Sequence, residues 1–193
     1  VDEAIFSTWK HNQDKSCEVV FDYLIGREVN QSPTHEPSRK VINFFDWDEN
    51  KAKEYESAYR WVKDNVKPER DRLRGNNKDA EILRNNWWKH ARSRPQLYHA
   101  IGRGHEFQKH PRDWEPNQKP LERVIVFATM ASKYPCFTLV PNTYVYANSL
   151  AVIASESFSL FCCLSSDVHG VWAWEHCSEH IAGIAYTHGT IFE

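Results

Sequence analysis

Arg123-Val124-Ile125-Val126-Phe127-Ala128 places five uncharged apolar residues in succession after a single arginine, with the β-branched and aromatic content of a strand. It is followed by Phe137-Thr138-Leu139-Val140, Tyr144-Val145-Tyr146 and Leu150-Ala151-Val152-Ile153-Ala154, short runs separated by turn residues, which together predict a sheet. Residues 158 to 164 fit either a further strand or a largely helical stretch over 158 to 174, because periodicity alone cannot separate the two in so short a run.

Upstream the period lengthens. From Glu49 to Val66, Ala52, Tyr55, Ala58 or Tyr59, and Val62 recur three or four apart and predict a helix with one buried stripe, ended or bent at Pro68. Leu73 to Trp88 suggests a second helix, weakened by Gly75-Asn76-Asn77, and Pro95 sets a break before Leu97 to Ile101. Residues 1 to 16 read as a short amphipathic turn or helix, Gly26 as a backbone turn, and Arg39 to Phe44 as a strand. Gly102, Gly104, Pro111, Pro116 and Pro120 mark 102 to 120 as an exposed loop. The class expected is α+β, a mixed or antiparallel sheet with packed helices, in a single domain over residues 1 to 193.

The net charge of -2 hides a strong segregation. Residues 60 to 123 hold 16 Lys or Arg against 9 Asp or Glu, while 1 to 59 hold 7 against 12 and 124 to 193 hold 1 against 5. Within the basic stretch, Asn85-Asn86-Trp87-Trp88-Lys89-His90-Ala91-Arg92-Ser93-Arg94-Pro95 interleaves cations with aromatics, a composition suited to a polyanion. Trp87 and Trp88 point about 100° apart on a helix, so one is expected in the core and the other at a surface.

Catalytic motifs are absent by comparison. The chain has no Pro-Pro pair for a base-holding loop, and its seven glycines form no cofactor turn. Asp46, Asp48 and Glu49 fit a helix start better than a metal cluster. His169, His176 and His180 have metal-compatible spacing, but the glutamate of a metalloprotease pattern is missing, so no metal is expected. Ser165 and Ser166 with His169 sit in no nucleophile motif. Five cysteines without ligand spacing and no apolar run of membrane length predict a reduced, cytoplasmic protein.

An ordered series of segments carries a family likeness: Tyr23-Leu24-Ile25-Gly26-Arg27-Glu28-Val29-Asn30, Pro37 to Phe44, Val66-Lys67-Pro68-Glu69-Arg70, Trp87-Trp88 through Arg94-Pro95-Gln96-Leu97, Leu121 to Val126, Ser132-Lys133, Phe137 to Pro141, and Leu164-Ser165-Ser166 to Trp172. On these the chain resembles the target recognition domain of bacterial type II restriction-modification and phage-defence adenine-specific DNA methyltransferases of the MmeI-like kind. Residues 185 to 193 resemble the stretch before the aromatic-proline motif that closes such domains. The chain departs from the pattern at Lys40, where a tryptophan is common, at Ala185, where an arginine is common, and in a longer Gly104 to Lys119 loop.

The resemblance implies a reader of double-stranded DNA, non-catalytic by itself. The methyltransferase domain of the same polypeptide would supply S-adenosylmethionine chemistry, with or without an endonuclease. Expected phosphate contacts are Arg39, Lys40, Lys67, Arg70 and Lys89, and expected base contacts Arg92, Arg94, Ser132, Lys133, Tyr134 and Asn142. Two other classes stay open: a protein-protein interaction module within a defence complex, and an RNA-binding or nuclease-like enzyme.

Overall fold

The computed structural model describes residues 1–73, 78–129, 136–180 and 183–186. In chain order its elements begin α1 (Glu3–His11), β1 (Val20–Leu24), α2 (Gly26–Gln31), β2 (Lys40–Ile42), α3 (Glu49–Lys53), α4 (Glu56–Asn65), α5 (Lys67–Asp71), α6 (Lys78–Asn85) and α7 (Pro95–Ala100). They continue β3 (Arg123–Ala128), β4 (Phe137–Pro141), β5 (Val145–Tyr146), β6 (Leu150–Ile153), α8 (Phe158–Leu164), α9 (Asp167–His176), β7 (Ser178–His180) and β8 (Gly183–Ala185). Helices with small mixed and antiparallel sheets make the α+β class expected from the sequence. The chain forms two compact units, Val1–Phe21 with Arg39–Gln118 and Asp22–Ser38 with Lys119–Glu193.

The first unit is helical around an aromatic cluster. Phe45 takes the edges of Phe21 at 5.5 Å, Tyr98 at 5.9 Å and Phe107 at 5.2 Å, and its backbone is held left-handed at φ 48° while its N–H donates to Asn43 Oδ1. The predicted stripe is correct residue by residue: Ala52, Tyr55, Ala58 and Val62 are all buried. It is carried by two helices, however, because Tyr55 leaves helical geometry at φ -101°, ψ 68° and lays its ring on Trp47 at 5.4 Å. The break expected at Pro68 is present just before it, where α4 stops at Asn65 and a new helix begins at Lys67. Pro68 stands in the first turn of α5, where its missing N–H had no intrahelical partner to lose.

The predicted exposed loop is exposed only in its later part. Ile101, Gly102, Arg103 and Gly104 are buried, Phe107 joins the aromatic cluster, and Arg103 donates to Glu106 at 2.9 Å inside the unit. Glycine is needed at 104 because any Cβ would fall 2.2 Å from the Trp114 indole nitrogen. Trp114 itself stacks on His110 at 3.5 Å.

In the second unit the run that opens the sequence argument is the central strand. β3 lies antiparallel to both β4 and β6, with Ile125 opposite Leu139 and Ile153, and Phe127 opposite Phe137 and Ala151. Ile125 and Phe127 pack with Phe137, Leu164, Ala173, Ile184 and Tyr186. Gly26 at the start of α2 approaches Ala128 on the same strand so closely that an added Cβ would lie 3.2 Å from the Ala128 Cβ and 3.1 Å from the Ser149 carbonyl. Val124 to Ala128 are thus all buried, and a strand covered on both faces needs no polar alternation. β5 runs parallel to β1, pairing Tyr23 with Val145 and Leu24 with Tyr146, and β7 with β8 makes a hairpin.

Residues 158 to 164 and 167 to 176 are helical, which settles the ambiguous segment. Ser157 accepts the Leu160 N–H and Ser166 accepts the His169 N–H, so each serine caps a helix. Ser166 is engaged as a cap, and His169 Nε2 lies 2.7 Å from the Tyr186 hydroxyl. Burial holds the His169 imidazole below its ordinary pKa. Trp172 is on the surface, and among the described residues no group of His, Cys, Asp and Glu is placed to hold a metal.

Candidate nucleic-acid interface

The cation and aromatic run leaves α6 as a turn, with the Lys89 N–H donating to the Asn86 carbonyl. Arg70 fixes this turn. Its Nη1 donates to the carbonyls of Asn86 at 3.2 Å, Trp87 at 2.8 Å and Lys89 at 2.5 Å, and burial lowers its pKa from the usual arginine value without threatening its charge. The two N–H bonds of that one nitrogen are shared among three carbonyls that, lying in a turn, have no helical partner.

Trp87 is the core member of the pair, buried with its ring 5.3 Å from Tyr59. Trp88 is half-buried, edge-on to Trp87 at 5.9 Å, and its indole N–H donates to the Trp47 carbonyl at 3.0 Å. Lys89 extends over the Trp88 ring at 5.2 Å and donates to the Asp46 carbonyl at 3.0 Å. Burial lowers the Lys89 pKa, the Asp46 charge opposes that, and Lys109 adds to the lowering. His90 Nε2 sits 3.0 Å from the Ile42 carbonyl, which only accepts, so that nitrogen carries the proton; burial keeps the ring below its ordinary pKa.

Two lysines that sequence reasoning missed belong to the same corner. Lys51 lies 4.0 Å over the Trp47 ring. Lys109 is exposed, and its backbone N–H, with that of Gln108, is held by the two carboxylate oxygens of Asp46 at 2.8 Å each. Asp48 caps α3 by accepting the Lys51 N–H, and that bond lowers its pKa. The carboxylates of Asp46 and Asp48 therefore shape the corner through backbone N–H groups. The only sequence signal for Lys51 and Lys109 was their nearness to Trp47 and to a loop rich in turn residues.

The expected site residues separate into three groups. Arg92 and Arg39 are exposed, and Arg94 is half-buried in left-handed geometry at φ 53°, ψ 50°, where its carbonyl accepts the Leu97 and Tyr98 N–H groups at the start of α7. Lys67, paired with Asp71 at 2.5 Å and 5.8 Å from the Trp87 ring centre, and Lys40, 4.7 Å over Phe6, are half-buried. Arg70 and Asn142 have internal tasks. Asn142 occupies a turn between strands, as expected, but its side chain is buried at 5% exposure and its amide donates to the Leu121 carbonyl at 3.0 Å. Ser132, Lys133 and Tyr134 lie outside the described residues.

No family model matches the chain, and no curated protein matches it in sequence. Among solved structures it is similar to part of the type IIL restriction-modification enzyme MmeI, determined in complex with DNA, at a TM-score of 0.64 and 13% identity. The likeness is one of fold. It covers 100% of this chain and 22% of the MmeI chain, so this chain spans under a quarter of that enzyme's length. None of the helices among the described residues is long and apolar enough to cross a membrane.

Proposed function

We propose that this chain is a double-stranded DNA recognition domain of a restriction-modification or phage-defence adenine N6-methyltransferase, and that it makes or breaks no bond itself. The observation that carries the reading is the fold match over the whole chain to an enzyme studied on DNA. The corner built on Trp47 and Trp88 supports it, because Lys51 of α3 lies over the Trp47 ring, Lys89 over the Trp88 ring, and Lys109 on a connection held by Asp46, with exposed Arg92 three residues beyond Lys89 in the chain. Phosphate contacts from the lysines would set register, and the planar fork of Arg92 would read a guanine edge.

Methyl transfer would belong to another domain of the same polypeptide, since no glycine-rich turn for S-adenosylmethionine is present in this sequence. The test is filter binding of the 193-residue chain to duplex DNA, single-stranded DNA and RNA at two salt concentrations. Preference for duplex with a steep loss of affinity in salt is expected. Equal binding to all three, or preference for single strands, would replace the reading with a stacking-type binder.

A further inference from the structure

We infer that the face formed by α8 and α9 docks a cationic amphipathic peptide segment of another protein or domain. α9 carries Val168, Val171, Trp172 and Trp174 yet buries only Ala173 among its ten residues. Val168 is 81% exposed, Val171 72%, Trp172 50% and Trp174 40%, with Phe158 of α8 also open. Isolated exposed apolar side chains are ordinary, but large ones gathered on one helix mark a surface awaiting a cover.

The face carries a cavity of about 710 Å³. Phe137 and Leu164 line it with buried apolar surface, Val171 and Trp174 line it from α9, and the acidic residues Asp167 and Glu175 belong to its wall near the two ends of that helix. Such a cavity suits a lysine or arginine, whose methylenes enter apolar surroundings while the charged head stays near a carboxylate and water. Leu or Phe side chains at helical spacing would cover Val168, Val171 and Trp172 in the same contact.

Charge selects among occupants. Residues 134 to 193 contain no Lys or Arg at all, and Glu156, Asp167, Glu175, Glu179 and Glu193 give this part of the chain its sign. A phosphate backbone or anionic membrane would meet the same charge as its own. A second copy in a two-fold contact would set one acidic patch, Asp167 and Glu175, against the same acidic patch, since both partners use one surface. A basic amphipathic helix supplies both the apolar and the electrostatic complement. This inference uses no residue of the proposed DNA interface.

The experiment measures fluorescence polarisation of a labelled synthetic helix, with Leu at i, i+3, i+4 and i+7 and Lys on its flanks, titrated with the full chain. The same helix with Glu replacing Lys is the control. The basic helix should bind saturably and the acidic one at least about tenfold more weakly. Glu175→Lys, which places a cation in the last turn of α9 where the helix dipole favours it, should narrow that gap, and Asp167→Lys with Glu175→Lys should reverse it. Val171→Ser should weaken basic-helix binding with an unchanged circular dichroism spectrum. Equal binding of the two helices, no binding, or a preference untouched by Glu175→Lys would overturn the assignment. So would sedimentation showing a dimer that Val171→Ser dissociates, because the occupant would then be a second copy.

Discussion

The two units oppose each other in both charge and finish. Val1–Phe21 with Arg39–Gln118 holds 20 Lys or Arg against 17 Asp or Glu, whereas Asp22–Ser38 with Lys119–Glu193 holds 4 against 9. In the first, cations that read as surface charge are partly committed inward: Arg70 to three carbonyls, Arg103 to Glu106, Lys89 to the Asp46 carbonyl. In the second, apolar residues that read as core are partly committed outward, with Val168 and Val171 in solvent. Neither a count of cations nor a count of apolar residues therefore measures the surface available for binding. A nucleic acid would meet fewer charges than the net of the basic stretch suggests, and a protein partner would meet more apolar surface than a folded core leaves.

The largest expected effect tests the inward cations. Arg103→Met leaves the half-desolvated Glu106 carboxylate without its partner; burial already pushes its pKa up against the pull of Arg103. About 3–5 kcal/mol of stability should be lost, read from the urea midpoint. Arg70→Gln should cost about 2–3 kcal/mol through its carbonyl contacts, and Trp87 fluorescence should report a loosened turn. If either variant is as stable as the parent, the assignment of these cations to the interior is wrong.

Outward charges should behave differently. Arg92→Ala should leave stability within about 0.5 kcal/mol but lose about 1–3 kcal/mol of discrimination at one base position of a duplex site. Lys67→Ala should weaken all duplexes alike and reduce the slope of log affinity against log salt by about 1. An equal loss of stability in Arg92→Ala and Arg70→Gln would erase the distinction between the two kinds of cation.

The smallest effect is in pH. The Tyr59 hydroxyl bond to Glu49 holds that carboxyl below its ordinary pKa, so its contribution to stability is present above the unfolded value of about 4.3 and is lost as pH falls through the folded one. Glu49→Gln should lower stability slightly at neutral pH, where that contribution is fully present, and flatten the acid limb of an unfolding titration so that variant and parent converge below the window. An unchanged acid limb would remove Glu49 from the account.

Much of the fold was legible because burial and period coincide. Val124 to Ala128 are apolar without alternation since both faces of β3 are covered, and the stripe Ala52, Tyr55, Ala58, Val62 keeps its spacing across the break at Tyr55. That break was not legible, because it depends on Trp47 stacking from outside the helix. Phe158 to Leu164 was ambiguous because a mostly exposed apolar helix has no polar face to set its period. At the candidate interface, Trp87 is buried as one of the pair was expected to be, while Trp88 is only half-buried, because the pair lies in a turn beyond α6 and not on the helix that the expectation assumed. The engagement of Arg70 was hidden, because its three acceptors lie 16 to 19 residues away. Asn142 shows the reverse limit: its turn was readable, its burial was not.

Selection of the chain's preferred sites from a randomised duplex pool tests the central claim most directly. Enrichment of a short sequence is predicted, with Arg92→Ala making one position indifferent and Lys51→Glu with Lys109→Glu lowering recovery of every sequence. A pool that emerges without a preferred sequence, or an enriched sequence that these substitutions leave intact, would contradict it.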